Sequence, residues 1–439
     1  MKSSALSQDA KAAINFCRLL SIGCLIMIGA TWNLWTPHDL FPRIPLISGA
    51  ANFPDAVDWI ALLAMIGSLV VVLLVPVRVR ANRYALLLFA IAFLLSVLRD
   101  QQRIQTWSYE FAVMAVVLAL AHERRAVTLL RCFVISIYAY SAISKLDHSF
   151  IVEQGNYLLA AMLGTLNYVL EAILGTPGIS WSLWSEKTRI LATAVLPVGE
   201  LLVAIALSIP KLRRIGFWGA VLMHTLLMLA VGPLGLDHYP GVFLWNTFFI
   251  VQDILLFGKR STAVEASSAD EPIARPPAAA LPSDRGTIFA TVLTAIAIVL
   301  PATEPLGGYD HWPSWGLYAM HHEKVHVYVR GDRRAEVAKR LGTAVVDGPD
   351  MFTYDKWCRV KIERWSLDSL EAPIYPQERF LVGVALWLDQ EFDLDDGIRI
   401  VIEGRAERFS GARTSEELVG REAIVERAKT YRLTAFPVE

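Results

Sequence analysis

The chain alternates long apolar blocks with short polar joints through its first three hundred residues, then changes character. About 20 apolar residues are needed to cross a bilayer core as helix, fewer where polar flanks snorkel. By that rule the pattern predicts spans near 16–35, 57–77, 83–99, 107–122, 127–145, 189–209, 214–232, 241–257 and 286–302. A tenth block, "YLLAAMLGTLNYVLEAIL" (157–174), is interrupted by Asn167 and Glu171 and followed by Gly and Pro. It is expected to lie at the interface or to be re-entrant rather than to cross. Beyond His321 the pattern reads as a soluble domain. The "EKVHVYVRG" stretch alternates as a strand, as does "GIRIVIEGRAE". "RRAEVAKRLG", "QERFLVGVALWLDQEF" and "SEELVGREAIVERAKTYR" read as helices. The expected fold class is therefore an all-α multi-pass membrane helix bundle of about nine spans with a small α/β C-terminal extramembrane domain.

Loop charges orient this arrangement. Arg78, Arg80 and Arg83, Arg124 and Arg125, Lys211, Arg213 and Arg214, and Lys259 and Arg260 occupy alternate loops. All fall on one side if 157–174 does not cross, which predicts a cytoplasmic N-terminus and an outer C-terminal domain in a cell (inner) membrane. The resulting organisation is a bundle over 1–260, a Pro/Ala/Ser-rich cytoplasmic linker over 261–285, a last span over 286–302 and an extracytoplasmic domain over 303–439. At 54% hydrophobic and 19% charged residues the composition agrees with a membrane protein. With 41 basic and 42 acidic residues it offers no basic surface for nucleic acid. Cys17, Cys24, Cys132 and Cys358 form no CxxC pair, which argues against a disulfide framework or a thiolate metal site.

Ionisable residues inside apolar spans are costly and mark candidate chemistry. Glu200 sits mid-span after Pro197 and Gly199, His224 is central in its span, and Glu110 lies near the end of "RDQQRIQTWSYE" beside Tyr109. Lys145 closes the fifth span, with Tyr138 and Ser141 on its helix face. By itself Lys145 reads as a snorkelling anchor. Glu200 has no such excuse, because its side chain is too short to reach water from mid-membrane. Together these residues are expected to line one polar cavity. His321, His322 and His326 carry an HHxxxH spacing, but on a strand rising roughly 3.3 Å per residue the last two stand more than about 12 Å apart. No metal site is expected from that spacing.

"YAYSAISKLDHSFIVEQG" (138–155) and "LRRIGFWGAVLMHTLLMLAVGPLG" (212–235) resemble segments of the HTTM (horizontally transferred transmembrane) family, which includes the vitamin K-dependent γ-carboxylase. "RDQQRIQTWSYEFAVMAVVLAL" is similar to the family's polar segment before its "SY" helix. The resemblance covers approximately 16–302. It implies that Lys145 matches a catalytic base for vitamin K-type or other quinol chemistry, a role needing a desolvated lysine able to give up its proton. The sequence departs from the carboxylases at Trp107, where they carry a histidine, and at Ser141–Ala142 in the lysine motif. A relative with another quinone-linked role, or none, fits these residues as well. The ligands and partners implied are the lipid bilayer, a quinone or lipid-like molecule, and a secreted protein or peptide. The alternative function is a non-catalytic scaffold whose outer domain docks a secreted or periplasmic partner.

Overall fold

The computed structural model describes residues 8–75, 80–175, 178–258, 284–347 and 357–438. The linker expected over 261–285 lies, but for its last two residues, outside the described residues. The helices of the apolar region are α1 (Gln8–Ala30), the single turn α2 (Trp32–Trp35), α3 (Ala56–Leu74), α4 (Arg80–Arg99), α5 (Thr106–Leu120), α6 (Glu123–Lys145), α7 (Gly155–Leu174), α8 (Glu186–Ser208), α9 (Arg213–Val231), α10 (Pro240–Phe257) and α11 (Asp284–Val299). The first expected span starts too late: α1 begins at Gln8, because the polar residues before Phe16 continue the helix rather than precede it.

Among the described residues nine helices are long and apolar enough to cross a membrane, counting 150–174 and leaving Thr106–Leu120 as a shorter apolar helix. Their outward faces carry large apolar side chains such as Leu63, Ile91, Leu191 and Ile215, each more than half exposed. A water-soluble fold would bury such a belt; a bilayer covers it. The chain is a multi-pass membrane protein by these helices.

Contacts at the helix ends give the running directions. The end of α6 meets the C-terminal region, where Arg408 donates to the Ile143 carbonyl at 3.0 Å and the His148 amide donates to the Arg408 carbonyl at 2.8 Å. Asn33, just beyond α1, donates to the Ser369 carbonyl at 3.0 Å, and Tyr239, before α10, bonds Asp368 at 2.6 Å. At the opposite end, the His122 amide reaches Thr287 at 3.3 Å and Arg131 reaches the Leu256 carbonyl at 2.7 Å. Helices α1, α4, α6, α9 and α11 thus run toward the C-terminal region, and α3, α5, α8 and α10 run away from it.

Helix α7 follows a one-turn π-helical segment, Phe150–Gln154, and is otherwise unbroken, so it lacks the interruption that a re-entrant hairpin needs. Phe150 and Leu158 pack on Ala230 and Val231 at the end of α9, and Thr165, halfway along, bonds the Leu234 carbonyl at 3.1 Å. Its midpoint therefore still lies at the domain-side end of the bundle. A helix crossing the bilayer would have its midpoint level with the middle of its neighbours. By these contacts the segment stays beside the domain-side end of α9, while its length and composition make it one of the nine candidate spans.

The C-terminal region is a five-stranded antiparallel sheet, order β2-β3-β1-β4-β5, with β1 (Lys324–Arg330), β2 (Val345–Asp347), β3 (Trp357–Val360), β4 (Ile398–Glu403) and β5 (Ser415–Val419). Helices α12 (Arg334–Leu341), α13 (Ile362–Leu370), α14 (Glu378–Phe392) and α15 (Arg421–Ala428) accompany it. The expected long helix from Ser415 is corrected: Ser415–Val419 pairs with β4 as an edge strand, and the helix starts only after Gly420. Edge strands carry charges that single-chain periodicity mistakes for a helix surface. Helix α14 is buried nearly all round, the mark of an element enclosed on several sides. At Gly383 an added Cβ would stand 2.4 Å from the Ala435 carbonyl and 3.0 Å from Ile44, so only glycine lets α14 approach so closely.

The junction of the two parts is built from "RDQQR", residues 99–103, all 2% exposed or less. Asp58 pairs with Arg99 at 2.9 Å, with Arg43 at 3.3 Å and with Arg103. Arg103 also donates to the Leu34 carbonyl at 3.0 Å. Gln101 donates to Pro45 and Thr434 and accepts from Arg379 at 2.8 Å. Gln102 donates to Ser366 and Pro373 and accepts from the Tyr375 amide at 2.8 Å. Five polar residues between two apolar helices thus form an enclosed plug, bonded on both sides of the junction except at Arg103 Nη2, rather than an exposed loop.

Candidate functional site: a polar-ended cavity between helices

Between α6, α8, α9 and α10 lies a cavity of about 380 Å³. Apolar side chains make most of its wall, including Leu158, Val203, Leu227, Phe249 and Leu317. Tyr138, Ser141, Lys145, Glu200 and His224, five residues singled out in the sequence, also line it. Glu110 and Tyr109 do not. Glu110 lies behind the wall, accepting from Trp245 Nε1 at 2.7 Å and from Gln252 at 3.2 Å, and so holds the lining indole in place. Tyr109 packs on Trp315 with ring centres 5.6 Å apart, its hydroxyl 3.2 Å from that of Tyr309. Trp107 packs in the bundle core against Trp35 and Phe111, away from the cavity lining.

Two polar groups face the cavity. In the first, Lys145 Nζ lies 2.7 Å from Glu200 and 2.6 Å from Ser141 Oγ. Lys145 follows Ser141 by one helical turn, so the hydroxyl steers the ammonium toward α8. Helix α8 presents the carboxylate where Pro197 cannot donate to the carbonyl four residues back and Gly199 has open space around its Cα. The pair is partly exposed to the cavity, with side chains 13% and 10% accessible.

The second group runs deeper. Tyr138 Oη is 2.8 Å from His224 Nε2 and 2.6 Å from Asp253 Oδ2, and His224 Nδ1 is 2.7 Å from Asn246 Oδ1. Asn246 donates its amide to the Val242 carbonyl, which leaves its oxygen toward the ring and requires His224 to carry a proton on Nδ1. One phenolic proton serves two acceptors. Either Tyr138 donates to Asp253 and His224 donates from Nε2, or Asp253 is protonated and Tyr138 donates to His224. Moving two protons along these bonds interconverts the states, so the chain links the cavity to a fully buried acid.

Asp253 and Asn246 were not singled out by sequence reading. The signal was present in "LWNTFFIVQDILLF" (244–257), where an acid and an amide interrupt an apolar run, but Asp253 sits in the last turn and passes for an edge charge.

The cavity has an apolar mouth. Val195 and Leu222 line it and are also well exposed on the flanks of α8 and α9, facing the belt where lipid would lie. Trp315, Leu317 and Tyr318, from the segment linking α11 to β1, contribute a wall from the domain side. Among the described residues, the carboxylate and imidazoles of Glu304, His311 and His321 bring ligand atoms within 4.8 Å of one another beside this wall.

No family model, curated protein or solved structure matches the chain.

Proposed function

We propose that this membrane protein binds an amphiphilic, lipid-like molecule of the quinol class, entering from the bilayer between α8 and α9, and exchanges a proton with its hydroxyl. The observation that carries the reading is an ion pair at the polar end of a mostly apolar cavity that opens on a lipid-facing flank. The apolar wall accepts a ring and tail, and Lys145, Glu200, Tyr138 and His224 converge on the polar end. In this reading Lys145 is the base. It becomes one when its proton passes along the 2.7 Å hydrogen bond to Glu200, and the freed amine then takes the proton of a bound hydroxyl. The resulting ammonium stands against the developing oxyanion. His224, Tyr138 and Asp253 form a second path for a proton. The resemblance of residues 138–155 and 212–235 to the carboxylase-containing family supports quinol chemistry, with the N-terminus cytoplasmic and the sheet domain outside. That orientation is supported by Arg80, Arg83, Arg124, Arg125, Arg213 and Arg214, which all sit at the bundle end opposite the sheet.

The test uses full-length protein in nanodiscs, titrated with naphthoquinone and benzoquinone analogues and read by quenching of the lining Trp245 and Trp315. Saturable quenching is expected. Lys145→Arg keeps a cation but cannot deprotonate. It should retain binding within a few-fold and lose oxygen-dependent oxidation of added quinol by at least about ten-fold. Oxidation surviving in Lys145→Arg rules out the base role. Absence of saturable binding rules out the ligand class and leaves the scaffold reading.

A further inference from the structure

We propose that Glu304, His311 and His321 bind a divalent transition-metal ion of the zinc class, and that the ion clamps the segment forming the domain-side wall of the cavity. The proposal does not depend on what occupies the cavity. Glu304 Oε1 lies 3.2 Å from His311 Nδ1, and Glu304 Oε2 lies 3.1 Å from His321 Nε2. Two imidazoles and one carboxylate suit zinc, and three protein ligands leave a position open for water.

The surroundings fit a metal better than a simple hydrogen-bonded trio. His321 turns Nδ1 toward the Ser144 carbonyl at 3.2 Å and Asp147 Oδ2 at 3.7 Å, the outer partners that fix a metal-bound imidazole with Nε2 toward the ion. Asp147 Oδ2 has no hydrogen bond that would compete with His321, and His311 and Asp147 are both 4% exposed or less. Gly316 lies so close over the His311 ring that an added Cβ would stand 2.3 Å from Cε1, so the ring is enclosed. Arg405 is a cation beside the cluster, 3.8 Å from Glu304 Oε1, and its closer bonds go to Glu323 at 2.6 Å and to the Glu304 backbone carbonyl.

The place of the cluster gives it a purpose. His311 and His321 bracket the residues that reach the cavity, Trp315, Leu317 and Tyr318. Trp315 and Tyr318 hold left-handed backbone, φ 65° and 63°, which bulky side chains adopt only when the surroundings enforce it. Their Nε1 and Oη are buried without partners. A metal bonded at both ends of this segment and to the end of the last apolar helix would hold that strained wall in place.

Full-length protein in detergent, stripped with EDTA, loaded with zinc and freed of excess, is analysed by elemental mass spectrometry. About one zinc per chain is expected, with cobalt(II) giving visible bands of a tetrahedral nitrogen–oxygen site. His311→Gln, His321→Gln and Glu304→Gln should each lower retained zinc at least ten-fold, and zinc should slow hydrogen exchange in residues 304–321 of the wild type. Wild-type protein that retains no zinc overturns the proposal. So does zinc that stays in all three variants, or zinc that leaves exchange in 304–321 unchanged, and the wild-type readouts decide even if a variant fails to fold.

Discussion

Asp58 and Glu200 are both carboxylates buried within helices of one bundle and paired with basic residues, yet their settings differ. Asp58 is wholly enclosed, held by Arg43, Arg99 and Arg103, whose other bonded donors end on backbone carbonyls and Asp55, with Arg103 Nη2 buried unpaired. Glu200 has one cation, Lys145, and faces open cavity. The first group is closed against any newcomer, while the second can rearrange around one. Burial of a charge therefore does not by itself distinguish a structural tie from a site. What separates them is whether the partner set is complete and whether space adjoins it.

Breaking the closed set should have the largest effect. Asp58→Asn leaves Arg103 buried without its carboxylate and Arg99 with only the exposed Asp55, a change expected to cost about 3–5 kcal/mol. It should show as a large drop in the thermal midpoint in detergent and poor recovery from membranes. An unchanged midpoint would mean that the junction is wetter than its contacts imply.

At the open set, filling space should separate binding from stability. Gly199 has nothing within 4 Å of an added Cβ and lines the cavity. Gly199→Leu should shift stability by less than about 1 kcal/mol while weakening quinone binding at least about thirty-fold, near 2 kcal/mol. Comparable losses of both would place Gly199 in packed structure.

Replacing the pair as a unit sharpens the contrast. Lys145→Met with Glu200→Gln removes both charges and should alter stability by no more than about 1 kcal/mol, since uncharged pairs of similar volume are often tolerated. Glu200→Gln alone should cost somewhat more, because it leaves the ammonium without its carboxylate. The comparison is a thermal midpoint series of the two singles and the double.

A further effect is at the closed region and depends on pH. Burial pushes the Asp100 carboxyl up from 3.8 to about 6, against the pull of Arg103 and the Gln102 amide. A carboxyl raised in the folded state stabilises below its unfolded value, and that contribution is lost as pH rises through the folded value. Asp100→Asn should therefore raise the midpoint by a few degrees at pH 7.5 and hardly change it at pH 3.5. The same gain at both values would show that desolvation of the carboxylate is not the cause.

The bundle was legible because apolar length is a strong signal, and Glu200, His224 and Lys145 stood out as ionisable residues in apolar runs. The junction was not, since "RDQQR" resembles an exposed turn and only tertiary packing encloses it. Helix α13 and strands β2 and β3 were missed because their patterns are short, and β3 is fixed by pairing with β1 earlier in the chain. The histidines show the limit most clearly. His321 sits in an HHxxxH run, but the fold gathers it with His311 and Glu304, while His326 stays on β1 beside Arg359 and Glu403.

The space beside Lys145 and Glu200 should hold a ligand in the membrane. Native mass spectrometry of wild-type protein and Gly199→Leu, released from the same membranes into the same detergent, tests it most directly. A bound quinone or other lipid-like adduct is expected on the wild type and should be absent, or reduced at least about ten-fold, on the variant. An adduct carried equally by both proteins, or by neither, would contradict it.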